Sequence, residues 1–273
     1  MSGGIELVVI GADGGPERGY AGSALAAAGA RLFADTLPGR TFDAGCRVTL
    51  VPPDADANAM LTALRAAAQR PARWLVVCLL GQLTADPRGR RLALVTAGST
   101  PDNAYRRGLA WDWVVSTMVH GGQEETLLLL DTVADRDTWS ALERTGEDGA
   151  GELLAHSRVP LWGRLGRYSA GRRGRDAVLP GGAGSFSQAL AQVLEHGVPG
   201  APAAVGPGEL QGAVSAALGE GADGAWLLTP GENGRLLMRN RASVRGALAG
   251  LSLSEELLAV LWRESAPTDP PSA

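Results

Sequence analysis

The stretch Glu125-Thr-Leu-Leu-Leu-Leu-Asp131, followed by Thr132 and Val133, decides the fold that we predict for this chain. Four consecutive leucines bounded by charged residues are typical of a strand that is buried on both faces of a parallel sheet. We expect the strand to end at Asp131, where the chain would leave the sheet. Ligands bind at the carboxyl ends of the strands in open α/β sheets. Asp131 is therefore the first candidate site residue.

Strand patterns and helix patterns alternate on either side of this stretch. This order predicts a three-layer α/β/α sandwich around a mainly parallel sheet with right-handed crossovers. The predicted strands are Ile5–Gly11, Cys46–Val51, Arg73–Leu80 and a short Arg91–Val95, and the predicted helices are Ala24–Leu37, Asp56–Arg70 and Tyr105–Val119.

The second half of the chain carries weaker signals. Val159–Leu165 is typical of an irregular fifth strand, followed by a basic loop over Gly166–Arg175. Ser185-Phe-Ser-Gln188 predicts a capping box that opens a helix ending at Gly197. We further expect a helix over Glu209–Leu218, a hairpin formed by Trp226–Thr229 and Arg235–Arg239, and a last helix over Ser254–Trp262. One late strand should join an edge of the sheet in the antiparallel direction. Residues 1–265 should form one domain, followed by a disordered Pro-rich tail over 266–273.

Composition narrows the function classes. The net charge of −4 argues against nucleic acid or an acidic membrane surface as the main partner. The two cysteines lie in apolar segments, so we do not predict a disulfide framework. We predict no zinc site, and no sequence pattern indicates another metal or a cofactor. The sequence has neither a signal-peptide pattern nor an apolar run long enough to cross a membrane, which predicts a soluble cytoplasmic protein.

Three further patterns have ordinary structural explanations. Gly11-Ala-Asp-Gly-Gly follows a strand as phosphate loops do, but it lacks their spacing and a lysine, and Asp13 would repel phosphate. Ser185 lacks the strong strand that precedes a hydrolase nucleophile, so we interpret it as a helix cap. The histidines, at positions 120, 156 and 196, follow no buried strand, and we expect them in loops or at helix ends.

The ends of two predicted neighbouring strands contain the remaining pattern. One strand ends in Leu80-Gly81-Gln82-Leu83 and the next in Leu130-Asp131-Thr132-Val133. In this order and spacing the chain resembles the caspase-like cysteine peptidases, in the broad bacterial sense that includes metacaspase relatives. That family has Gly-His-Gly at the first end and Asp-x-Cys at the second, about fifty residues downstream. Gln82 stands at the position of the histidine and Val133 at that of the cysteine, 51 positions apart.

The resemblance implies a peptidase fold in which both required positions are replaced. Glutamine cannot exchange a proton at neutral pH and valine has no nucleophile, so the Cys–His dyad is lost. The family's acid beside the pocket for a basic substrate side chain is retained as Asp131. Together with Asp13, Gly81 and Thr132 it forms the candidate ligand-binding set, although Asp131 could equally serve only to hydrogen-bond the local backbone.

Three functions follow as hypotheses. The first is an inactive caspase-like domain that acts as a regulatory or assembly subunit, binding a peptide, a protein or an active relative. The second is a hydrolase with relocated catalytic residues. The third is a structural component of a multiprotein complex that uses another surface.

Overall fold

The computed structural model describes residues 4–12, 23–38, 42, 45–89, 91–100, 102–143, 154, 159–168, 178–218, 225–228 and 236–243. The expected last helix, the tail, Asp13 and His156 lie outside the described residues. The strands are β1 (Ile5–Gly11), β2 (Cys46–Val51), β3 (Trp74–Ala85), β4 (Leu92–Leu94), β5 (Leu109–Ala110), β6 (Glu125–Ala134), β7 (Leu161–Arg167), β8 (Ala204–Val205), β9 (Ala225–Leu228) and β10 (Met238–Arg239). The helices are α1 (Ser23–Thr36), α2 (Ala57–Ala68), α3 (Ala104–Arg107), α4 (Trp111–Val119), α5 (Arg136–Glu143), α6 (Phe186–His196) and α7 (Pro207–Leu218).

A mainly parallel sheet organises these elements, as the sequence predicts. Its strand order is β2-β1-β3-β6-β7-β9, and β4 and β5 extend it beside β3. The pairs β1–β2, β1–β3, β3–β6 and β6–β7 are parallel, whereas β9 joins β7 antiparallel at one edge. The late antiparallel edge strand is therefore confirmed. None of the helices in the described ranges is long and apolar enough to span a membrane.

Helices cover both faces of the sheet and create two separate hydrophobic cores. Side chains alternate along each strand, so Leu128 and Leu130 pack with helices α2, α4 and α5. Leu127 and Leu129 pack on the opposite face with α1, α6 and α7. Each leucine in the run is buried, which explains why the sequence of β6 is continuously apolar instead of alternating.

Local signals set several helix ends. The carboxylate of Asp56 accepts a hydrogen bond from the backbone N–H of Ala59 at the start of α2. Ser185 caps α6 in the same manner through the N–H of Gln188, but the predicted capping box is only half formed, because the Gln188 side chain donates to the carbonyl of Gly181. Gly197 ends α6 with φ of 76°, a conformation that glycine adopts without strain.

The two central strands run past the ends that the sequence predicts. β3 continues to Ala85 and β6 to Ala134, so Asp131 lies within a strand and the expectation that the chain leaves the sheet there is wrong. β6 remains paired on both sides, with β3 up to Ala134 and with β7 up to the same residue. Similarly, β7 continues through Arg167, into the segment that we expected to be a loop.

The predicted helix over Tyr105–Val119 is divided into two helices. The short helix α3 ends at Gly108, residues Leu109–Ala110 pair antiparallel with β4, and α4 begins at Trp111. A Cβ atom at Gly108 would lie 2.5 Å from the carbonyl oxygen of Leu94, so only glycine lets the backbone approach β4 this closely. The helical periodicity of the segment does not reveal this backbone contact.

Within the described residues 225–228 and 236–239, the two segments of the expected hairpin pair with other strands and not with each other. β9 pairs with β7 in the main sheet, whereas β10 pairs antiparallel with β8 in a separate two-stranded sheet. The buried side chains of Val205 and Met238 join the core formed with α1 and α6. An isolated hairpin of two short strands is marginally stable in water, whereas β9 adds to the edge of the large sheet.

Candidate functional site

The two positions that the resemblance singles out are direct neighbours. β3 and β6 are parallel, and their register pairs Gln82 with Val133 and Leu80 with Asp131. Alternation along the two strands places the side chains of Gln82 and Val133 on the same face of the sheet as Asp131. Both are buried, Gln82 with 4% and Val133 with 0% of its surface exposed. The tertiary structure therefore brings together two residues 51 positions apart in the sequence.

Neither side chain supplies the chemistry of a cysteine peptidase. An amide neither accepts nor releases a proton at neutral pH, and an isopropyl group has no nucleophilic atom. Cys78 precedes Gln82 on the same strand, but its thiol is buried and burial raises its pKa well above the usual value. Burial, assisted by the Glu6 carboxylate, also raises the pKa of Cys46 to about 11. Both thiols are thus protonated at neutral pH and weakly nucleophilic.

Asp131 connects the sheet to the N-terminus of helix α6. Its Oδ2 atom accepts hydrogen bonds from Ser187 Oγ at 2.6 Å, from the Ser187 backbone N–H at 3.0 Å and from the Gly181 N–H at 3.1 Å. Its side chain is fully buried. A carboxylate at this position is also favoured by the partial positive charge of the helix N-terminus. The partners of Asp131 lie far along the chain, not in its local backbone.

Arg164 stands beside Asp131 on the next strand. The register of β6 and β7 pairs these two residues, and Arg164 is only 5% exposed. Its Nη1 atom donates to the carbonyl of Val178 at 3.2 Å. Burial lowers the pKa of the guanidinium, and the charge of Asp131 partly opposes this effect. The sequence patterns do not single out Arg164; the available signal is a single charge within the apolar run of a predicted strand.

The other members of the predicted ligand-binding set have different surroundings. Gly81 adopts φ of 149°, and a Cβ atom there would lie 3.2 Å from the carbonyl oxygen of Ala12. Thr132 is buried on the face opposite Asp131, and its hydroxyl has no hydrogen-bond partner in the described part of the chain. Asp13 lies outside the described residues. Gly81, Thr132 and Asp131 therefore lie close together on the adjacent strands β3 and β6. The side chains of Thr132 and Asp131 nevertheless lie on opposite faces of the sheet.

The serine and the two described histidines occupy structural positions. Ser185 is buried, caps α6 and contacts the Ser187 hydroxyl at 3.0 Å. His120 and His196 are exposed at the ends of α4 and α6, where the Nδ1 atom of each lies 2.8 Å from a carbonyl oxygen of the same helix. Within the described ranges, no three His, Cys, Asp or Glu side chains converge as a metal site would require.

Comparisons with known proteins concern the fold. No protein-family model matches the sequence, and no curated protein matches it. Among solved structures, the chain is similar to caspase-1 from Spodoptera frugiperda, with a TM-score of 0.40 and 15% identity over 71% of each chain. It is also similar to the structure of pro-sf-caspase-1, with a TM-score of 0.41 and 13% identity over 87% of this chain and 85% of the other. Scores at this level carry no argument about activity or binding.

Proposed function

We propose that this chain is a catalytically inactive caspase-like domain that serves as a protein- or peptide-binding subunit. One observation carries the proposal: Gln82 and Val133, the two positions at which the resemblance places the catalytic dyad, are adjacent in the register of two parallel strands and lie on one face of the sheet. A pair of residues in this relation is suited to a proton-transfer and nucleophile dyad, and these two side chains can perform neither role.

The surroundings of the two positions favour binding or assembly over relocated catalysis. The thiol groups have raised pKa values, and Ser185 is engaged as a buried helix cap. An activated nucleophile requires an adjacent base, and neither described histidine lies in the core with these groups. A caspase-like fold without an activated nucleophile or an adjacent base supports a role in recognition.

A purely structural role in a multiprotein complex is the second candidate function. It is favoured by the burial of Gly81, Gln82, Asp131, Thr132 and Val133, since residues without exposed surface make no direct contact with a partner in this conformation. Under this alternative another face of the domain would bind the complex.

A peptidase assay tests the absence of catalysis. We expect no turnover of a library of Arg-, Lys- and Asp-containing peptides by the purified chain. Asp131→Asn, verified as folded by circular dichroism, is the matched control, because a contaminating peptidase would be equally active in both preparations. Turnover that the native chain shows and this variant lacks would contradict the proposal.

A thiol-reactive probe tests the hydrolase with relocated residues. At pH 8 we expect iodoacetamide to label Cys46 and Cys78 slowly in the folded protein and rapidly in urea, because burial keeps both thiols protonated. Mass spectrometry of digested protein identifies the labelled residue. Fast labelling of one cysteine in the folded state would favour a retained nucleophile over an inactive domain.

A further inference from the structure

A groove lies between helices α1 and α6, on the side of these helices that faces away from the sheet. Its volume is about 500 Å³. Leu32, Ala191 and Leu194 supply its apolar lining, and the exposed side chains of Gln188 and Gln192 stand along its α6 edge. An apolar lining with polar edges between two helices is suited to the packing of a third, amphipathic helix.

The chain passes the end of this groove before it leaves the described residues. Asn240 is buried, and its Nδ2 atom donates to three carbonyl oxygens in the segment 198–202. A Cβ atom at Gly197, where α6 ends, would collide with the backbone nitrogen of Ala242. These contacts hold the chain against the C-terminal end of α6, and the next side chain, Arg241, lines the groove.

A helix begins at this point. The backbone of residues 241–243 is helical, and the Oδ1 atom of Asn240 accepts a hydrogen bond from the N–H of Ala242 at 3.2 Å, as an N-cap residue does. The chain after residue 243 lies outside the described residues. Its sequence continues as Val244-Arg-Gly-Ala-Leu-Ala-Gly-Leu-Ser-Leu253, in which Val244, Leu248 and Leu251 have the i, i+4, i+7 spacing of one helix face.

The length of this apolar face matches the groove. Val244 and Leu251 are seven positions apart, as are Gln188 and Glu195 at the two ends of the α6 edge, so each pair spans about 10 Å in a helix. The segment 244–253 contains two glycines, which lower its helix propensity, and an isolated helix of this length is marginal in water. A helix here therefore depends on packing against the rest of the protein.

The charges of the groove and of the segment are complementary. Asp35 and Glu195 are exposed carboxylates in the last turns of α1 and α6, where the helix dipoles add partial negative charge. Residues 241–253 contain two arginines and no acidic residue. By contrast, the predicted helix that opens at Ser254 begins with two glutamates, which the carboxylates of the groove would repel.

From these observations we infer that residues 244–253 form a helix that packs in the groove between α1 and α6, antiparallel to α6. The direction follows from the position of Arg241, since the segment starts at the C-terminal end of α6. This inference goes beyond the proposed function, because it concerns the outer surface of α1 and α6 and does not depend on Gln82 or Val133. It assigns this surface to the chain itself, so that a partner would bind elsewhere.

Hydrogen exchange of the full chain, followed by mass spectrometry, tests the inference. We expect the amides of residues 244–253 to exchange at least about tenfold more slowly in the native chain than in Leu32→Glu, which places a charge in the apolar lining. Leu50→Glu is the matched control, because Leu50 is exposed on β2 outside the groove, and it should leave the protection unchanged.

A second variant keeps the test decisive if Leu32→Glu does not fold. Gln192→Trp changes an exposed residue of α6 and fills the groove without altering the core, so the same amides should lose their protection. Circular dichroism verifies that each variant is folded.

Cross-linking identifies the molecule that supplies the helix. With cysteines introduced as Gln192→Cys and Ala247→Cys, a short bismaleimide should join the two positions within one chain, and the yield should not depend on protein concentration. Mass spectrometry of the digested monomer identifies the link. A link between two chains would assign the groove to a second copy and overturn the inference.

Two exchange results would also overturn it. One is exchange of residues 244–253 in the native chain at the rate of an unstructured peptide. The other is full protection that persists in the folded Leu32→Glu and Gln192→Trp variants, because the protecting contacts would then lie outside the groove.

Discussion

Within the sequence Asp131-Thr132-Val133, successive side chains have different surroundings. Strand alternation directs Asp131 and Val133 to the face covered by α1 and α6 and Thr132 to the other face. Among the described residues, the Asp131 side chain forms hydrogen bonds to Gly181 and Ser187, whereas the Thr132 hydroxyl has no hydrogen-bond partner. At this scale Asp131 is a structural connection between the sheet and helix α6.

Asp131→Asn tests that connection. We expect the free energy of unfolding to fall by about 1.5–3 kcal/mol, because an amide weakens the three hydrogen bonds that the carboxylate oxygen accepts and removes the negative charge that Asp131 places beside Arg164. Urea denaturation followed by circular dichroism measures the change. Asp112→Asn, at an exposed position in the first turn of α4, is the matched control and should change stability little. Equal effects of the two substitutions would contradict the structural role.

At the scale of the elements, β7 depends on a glycine that the sequence pattern alone does not explain. Gly163 lies between Trp162 and Arg164 with φ of 149°, a conformation that other residues rarely adopt. A Cβ atom there would collide with the backbone of Leu130 on the neighbouring strand. The close approach of β7 to β6, which also sets the Asp131–Arg164 register, therefore requires this residue.

Gly163→Ala is expected to lower the free energy of unfolding by more than about 3 kcal/mol or to prevent folding, since both backbone conformation and space oppose the added methyl group. Gly212→Ala is the matched control. Gly212 is exposed within α7 and has no atom within 4 Å of an added Cβ, so we expect a gain of about 0.5–1 kcal/mol from higher helix propensity. Chemical denaturation of both variants measures the contrast. A tolerated Gly163→Ala would show that β7 approaches β6 less closely.

At the scale of the whole molecule, one sheet separates two hydrophobic cores. Leu64 of α2 belongs to one core and Leu190 of α6 to the other, and both are fully buried. The strands of the sheet contribute side chains to both cores, so disruption of one face also removes support from the other. This arrangement favours a single cooperative unit, as the sequence predicts for residues 1–265.

Leu64→Ala and Leu190→Ala test this cooperativity. Each substitution should lower the free energy of unfolding by about 2–5 kcal/mol, because each leaves a cavity in a packed core. The sum should describe the double variant within about 0.5 kcal/mol, since the two sites share no contacts. Urea transitions followed by tryptophan fluorescence and circular dichroism should coincide. Two separate transitions, each shifted by one variant, would contradict a single folding unit.

The sequence by itself determined the class of the fold and the pair of positions that define the candidate site. Hydrophobic runs such as Leu127–Leu130, alternating with helix patterns, predict a parallel sheet covered on both faces, because only such strands bury every side chain. The predicted strand order placed the two strand ends side by side, the family resemblance singled out Gln82 and Val133 there, and the register confirmed their adjacency. The fold class and the neighbouring strand ends depend on local hydrophobic patterns and on the order of the strands, and both can be read from the sequence.

Tertiary structure alone decided what each residue at the site does. The partners of Asp131 lie 50 and 56 residues away, at Gly181 and Ser187, and no periodicity in the sequence indicates hydrogen bonds over that distance. The same holds for Arg164, whose burial follows from the pairing of β7 with β6 and from the space above Gly166. Chain topology determines which charged and polar groups meet, because these contacts join segments that are remote in the sequence.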